Sequence, residues 1–85
     1  MDISKAEQRV LHLLAQGGSI FVEKDDRGRI EELCLVTRDG WYRDDLTLDL
    51  FRKLKRRRYI ASANSRPYRI TRLGLQRVRA QANNR

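Results

Sequence analysis

Eighty-five residues suit one domain with a small core, near the lower end of what folds without staples. Hydrophobic residues make up 40% of the chain, above the range of disordered polypeptides, and a single cysteine excludes an internal disulfide. The formal charge of +8 points to an acidic or polyanionic partner and says nothing about the fold.

That charge is unevenly placed. Residues 1–40 carry a net −2 and residues 41–85 a net +10, so the basic character belongs to the second half. Charged residues interrupt the N-terminal apolar positions, which argues against a signal peptide. No apolar run approaches the ~18 residues of a membrane span, so the chain reads as a cytoplasmic protein with no membrane partner.

Ser4 and Glu7 have capping-box spacing and predict a helix over about 4–16, closed by Gly17-Gly18. Ala6, Val10, Leu11 and Leu14 share its apolar face with Leu13 at the border, and His12 lies on the polar side. A lone histidine there reads as solvated, with no metal set and no catalytic partner.

Ile20–Lys24 and Ile30–Thr37 read as the two strands of a hairpin turning at 25–28. Cys34 sits in an apolar run and reads as a small buried hydrophobe. Arg38-Asp39-Gly40 is a second turn, after which Trp41–Arg43 either adds a third strand or covers the core. Trp41, the only tryptophan, reads as a core or lid residue. Asp25, Asp26, Asp44 and Asp45 lack the spacing and companions of a metal site and read as solvated turn and helix-entry residues.

Thr47 is placed to cap a second helix, on which Leu46, Leu50 and Leu54 recur at four-residue spacing with Phe51 beside them. Within Arg52–Arg58 only Leu54 is uncharged. Arg52, Lys55 and Arg56 point away from the leucines, whereas Arg57 and Arg58 lie nearer the apolar side in the last turn. A helix end needs one or two cations to satisfy its dipole, and this run has six. Tyr59–Ala63 and Pro67–Ile70 then form a second hairpin around Asn64-Ser65-Arg66. Thr71 caps a last helix with Leu75 and Val78 on its apolar side. Gly74 within it implies close packing, and Gln81–Arg85 reads as a frayed tail.

Helix, hairpin, basic helix, hairpin and short helix in that order describe an α+β, winged-helix-like domain spanning residues 1–85. Its expected core is Val10, Leu11, Leu14, Ile20, Val22, Leu33, Leu35, Leu50, Phe51, Leu54, Ile60, Tyr68, Ile70 and Val78. Losing Leu50 or Leu54 to alanine would then cost about 2–5 kcal/mol.

Candidate contact residues are Arg52, Lys53, Lys55, Arg56 and Arg57 on the helix, with Arg66 and Arg69 on the second hairpin. Lysine and arginine on one exposed helix face can neutralise phosphates, but such contacts give affinity without sequence readout. No Asn or Gln lies between Thr47 and Arg58, so base reading is weakly supported and an acidic protein surface fits almost as well. No metal cluster, phosphate-binding glycine loop or nucleophile–base set is present, so the chain reads as a non-enzyme without a cofactor. Basic ribonucleases can work with Arg, Lys and Tyr, and Tyr42, Tyr59 and Tyr68 keep that alternative open.

Glu7-Gln8-Arg9 with Leu11-His12, Leu14-Ala15 and Gly17-Gly18 resembles the start of the YjhX-type toxins of bacterial toxin–antitoxin pairs. The resemblance resumes at Thr47-Leu48, Phe51, Lys53-Leu54-Lys55 and Ile60, and continues through Pro67-Tyr68-Arg69-Ile70. It closes with Gly74-Leu75, Val78-Arg79-Ala80-Gln81 and Asn84-Arg85, and it is loosest over 20–44. It implies a growth-inhibiting toxin that binds and inhibits DNA topoisomerase I, with an acetyltransferase-like antitoxin as its partner. It implies no catalytic residues. DNA is the alternative partner, which would make the chain a winged-helix DNA-binding protein or regulator.

Overall fold

The computed structural model describes residues 3–83, with side chains through residue 80. Its elements are α1 (Lys5–Ala15), β1 (Ser19–Lys24), β2 (Ile30–Val36), β3 (Tyr42–Arg43), α2 (Leu48–Arg56), β4 (Ile60–Ala61), β5 (Arg69–Ile70) and α3 (Arg72–Asn83). The fold is mixed α+β: three helices with a three-stranded sheet ordered β1-β2-β3 and a separate β4-β5 pair, all antiparallel.

Local chemistry accounts for the element ends. The Ser4 hydroxyl accepts from the Glu7 N–H at 3.1 Å, and the Ser4 N–H donates to Glu7 Oε1 at 3.1 Å, completing the capping box. Gly17 at φ 109° turns the chain out of α1. In the β1–β2 turn the Asp25 carboxylate accepts from the N–H groups of Arg27 and Arg29, each at 2.9 Å. The Thr47 hydroxyl accepts from the Leu50 N–H at 3.2 Å and opens α2. The Gly74 N–H donates to Thr71 Oγ1 at 3.1 Å, which opens α3.

The β1–β2 register decides which side chains face inward. Ile20 lies opposite Leu35 and Val22 opposite Leu33 on the core side, while Phe21 opposite Cys34 and Glu23 opposite Glu32 form the outer face. Ile20 and Leu35 meet Val10, Leu11 and Leu14 of α1, Phe51 and Leu54 of α2, Ile60 and Val78 in the buried cluster. The two sheets are joined at one bridge. The Ile20 N–H donates to the Tyr68 carbonyl at 2.9 Å, and the Tyr68 N–H donates back at 2.8 Å.

Several expectations need correction. Ala6 is exposed and Glu7 takes its place on the buried side of α1, because positions 7, 10, 11 and 14 make the tighter helical stripe. On α2 the inward pair is Phe51 and Leu54, three apart. Leu50 sits a step round the helix and Leu46 precedes its Thr47 cap, and both are only half-buried. Val22, Leu33, Tyr68 and Ile70 are also half-buried, and Ile3, which the periodicity missed, is buried.

Cys34 is half-buried on the outer sheet face, because the alternation of β2 turns it away from Leu35. Trp41 does not cover the core. It is 71% exposed, because its backbone closes the 37–41 turn through bonds to both the Thr37 N–H and the Thr37 hydroxyl, leaving the ring off the sheet edge. The segment after it becomes β3, pairing with β2 through Leu35–Arg43 and Val36–Tyr42. The last helix is not short: α3 has 12 residues and runs to Asn83, through the first part of the expected tail, and Asn84 and Arg85 lie outside the described residues.

Candidate functional site

The basic segment is held by α2, which anchors itself through Phe51 and Leu54 and turns its polar face outward. The structure divides its cations into two groups. Arg52, Lys55 and Arg56 are exposed and form no ion pair among the described residues. Lys53 and Arg57 turn back toward α1. Arg57 Nη1 donates to Glu7 Oε2 at 3.1 Å, and Lys53 Nζ lies 3.9 Å from Glu7 Oε1.

Glu7 is 1% exposed and is the buried charge that makes this arrangement work. One carboxylate closes the α1 capping box with one oxygen and holds Arg57 with the other. A buried carboxylate without partners would be costly, and here its lone pairs are matched from two elements. The sequence signal for this was the Glu7 position itself, which falls on the apolar stripe of α1.

Tyr68 ties α2 to the second hairpin. Its ring packs edge-on against Phe51 with centroids 5.0 Å apart, and Lys55 Nζ stands 5.8 Å from the Tyr68 ring centroid. Arg66 and Arg69 are both exposed, Arg66 just beyond the 64–65 turn and Arg69 in β5 opposite Ala61. Asn64 and Ser65 both take positive φ, 55° and 61°, which makes that turn tight. Of the seven candidate contact residues, Arg52, Lys55, Arg56, Arg66 and Arg69 are thus exposed and pair with no carboxylate among the described residues, whereas Lys53 and Arg57 are turned to Glu7.

Elsewhere, Asp45 pairs with Arg43 at 3.0 Å and Arg9 at 3.8 Å, joining β3 to α1. His12 is exposed. Among the described residues no group of three His, Cys, Asp or Glu could hold a metal ion, and no helix is long and apolar enough to cross a membrane. Partial burial, with Glu32 and Glu23 beside it, pushes the Cys34 thiol above its ordinary value, and its Sγ–H points to Glu32 Oε1 at 3.9 Å.

What the described residues present is a small α+β domain with a cluster of exposed cations on one helix. Its family is established by comparison. Residues 1–85 match the family described as "Putative toxin of bacterial toxin-antitoxin pair", the YjhX toxin family, and the chain belongs to it. It is 66% identical over 85 residues to a UPF0386 protein of Chelativorans sp., with all of both chains covered. Similar proteins of the same name occur in Parvibaculum lavamentivorans, 59% identical with both chains fully covered, and in Hyphomonas neptunium, 58% identical with 99% of each covered. No solved structure matches.

Proposed function

We propose that this chain inhibits growth by binding, without chemistry of its own, and that the outward face of α2 is the surface that engages the target. The observation that carries this reading is the division of charge on one helix. Lys53 and Arg57 are matched by Glu7, while Arg52, Lys55 and Arg56 stand together with no carboxylate partner among the described residues. Adjacent like charges on a rigid helix repel one another, and an acidic surface relieves that repulsion.

By family resemblance the target is DNA topoisomerase I in the cytoplasm, and the partner that neutralises the toxin is an acetyltransferase-like antitoxin. The basic face either docks on an acidic surface of the topoisomerase or competes for its DNA. The order of α2, the β4–β5 hairpin and α3 supports a winged-helix reading, in which Arg66 and Arg69 extend the contact along the wing. That hairpin favours the second reading, a winged-helix DNA-binding protein, because exposed arginines beyond a basic helix suit a phosphate backbone.

One variant separates these readings. Arg52, Lys55 and Arg56 changed together to Ala are expected to leave folding intact, to lose at least tenfold in capture of purified topoisomerase I after nuclease treatment, and to relieve growth arrest on induction. Capture that survives the triple substitution removes α2 from the interface. A DNA mobility shift with a steep salt dependence, lost in the same variant, with no nuclease-resistant capture, selects the DNA-binding reading.

A further inference from the structure

Part of the outer edge of β1 is used and part is open. Both the N–H and the carbonyl of Ile20 bond to Tyr68, so the Ile20–Leu35 position is a pair without hydrogen bonds to β2. Antiparallel alternation then makes Phe21–Cys34 the bonded pair and directs the N–H and carbonyl of Val22 away from β2, onto the same edge as Ile20. Among the described residues no group outside the hairpin pairs with them.

The pairing stops after Tyr68 for a local reason. The Arg66 N–H, which would face the Val22 carbonyl if the pairing continued, turns back to the Ala63 carbonyl at 3.0 Å and draws the chain away from β1. A groove of about 570 Å³ opens between the two walls. Phe21, Val22 and Lys24 line one side and Arg66 and Tyr68 the other, and no carboxylate lines it. Unpaired strand edges are templates for added strands.

We propose that this groove receives a short, extended, acidic segment of a partner protein as a strand added to the free edge of β1. Val22 exchanges backbone hydrogen bonds with the segment. Lys24 and Arg66 take its carboxylates, and the rings of Phe21 and Tyr68 flank its apolar positions. The register shift between Glu23 and Lys24 ends the regular edge and keeps the added strand short. A phosphate backbone fits the cations but not the edge, because phosphate oxygens only accept and leave the Val22 carbonyl without a donor. The groove also adjoins the basic helix through Lys55 at Tyr68, yet the assignment does not depend on what α2 binds.

The test is a titration of the isotope-labelled full chain, read at each backbone amide by NMR. The probes are an acetylated, amidated heptapeptide alternating valine with aspartate, two versions N-methylated on one or the other alternate set of amides, and an oligothymidylate of equal charge. The parent peptide is expected to shift the Val22 amide and slow its hydrogen exchange. One methylated version should bind like the parent and the other at least tenfold more weakly, the signature of an added strand. Arg66→Glu and Lys24→Glu, both at exposed side chains, should each weaken binding at least tenfold with the remaining spectrum unchanged. A Val22 amide unmoved at millimolar peptide, equal binding by both methylated peptides, or tighter occupancy by the oligothymidylate overturns the proposal.

Discussion

Glu7 shows how one side chain can serve two elements at once. Its carboxylate caps α1 from inside and receives the Arg57 guanidinium from α2, with Lys53 nearby. Removing it breaks the cap and leaves Arg57, only 23% exposed, without its carboxylate. Glu7→Ala should therefore cost about 2–4 kcal/mol in urea unfolding, whereas Glu7→Gln, which can keep the Ser4 bond, should cost about half as much. Arg57→Ala combined with Glu7→Ala should cost less than the two single losses added together, because the pair is removed as a unit. Cys34 makes a second prediction. Its raised thiol value leaves little thiolate at neutral pH, so alkylation should be slower than for a free cysteine at pH 7. The rate should climb on raising the pH past the ordinary thiol range. Equal rates at pH 7 would mean that the sheet face does not shield the thiol.

Among the elements, α2 separates what periodicity alone joins. Four-residue spacing ranks Leu50 with Leu54, but Leu54 is fully buried and Leu50 only half-buried. Leu54→Ala is expected to cost about 2–5 kcal/mol and Leu50→Ala no more than half of that, measured by chemical denaturation. Comparable losses would mean that Leu50 shares the inward face. In α3, Gly74 is required by contact. A Cβ there would stand 2.5 Å from the Tyr59 carbonyl oxygen and 2.7 Å from Ile70 Cγ1. Alanine would gain about 1 kcal/mol of helix propensity, and the displaced Tyr59 backbone should cost more than that, so Gly74→Ala should lower the melting temperature. The outer face of the first sheet has a different character. Glu23 and Glu32 stand opposite one another there, a like-charge pair that weakens the hairpin rather than supporting it.

For the whole molecule, the central fact is that charge and core are built on the same helix. With a radius of gyration of 12.5 Å the chain is close to the about 12 Å expected for its length, so little interior is available for a separate site. The triple change of Arg52, Lys55 and Arg56 to Ala should lower stability by no more than about 1 kcal/mol while removing target capture, because none of the three pairs with a carboxylate among the described residues and only Lys55 gives up a contact, that with the Tyr68 ring. Lys53 and Arg57 are the contrasting pair: changing them should lower stability and binding together, through Glu7.

Much of this protein is determined by short-range rules that the sequence states directly. Ser4 with Glu7, Thr47 and Thr71 mark the helix starts, alternation over 20–36 gives the hairpin, and the basic face of α2 follows from helical spacing. The family resemblance was also legible, in motifs spread along the whole chain. Tertiary structure alone decided how those pieces spend their side chains. Glu7 is buried because a cation fifty positions away reaches it, Trp41 is exposed because its backbone is committed to a turn, and Val22 keeps an open edge because the Arg66 N–H is committed to the Ala63 carbonyl. Local propensity depends on neighbours a few residues apart. Burial and pairing depend on which elements meet, and that information is distributed over the chain as a whole.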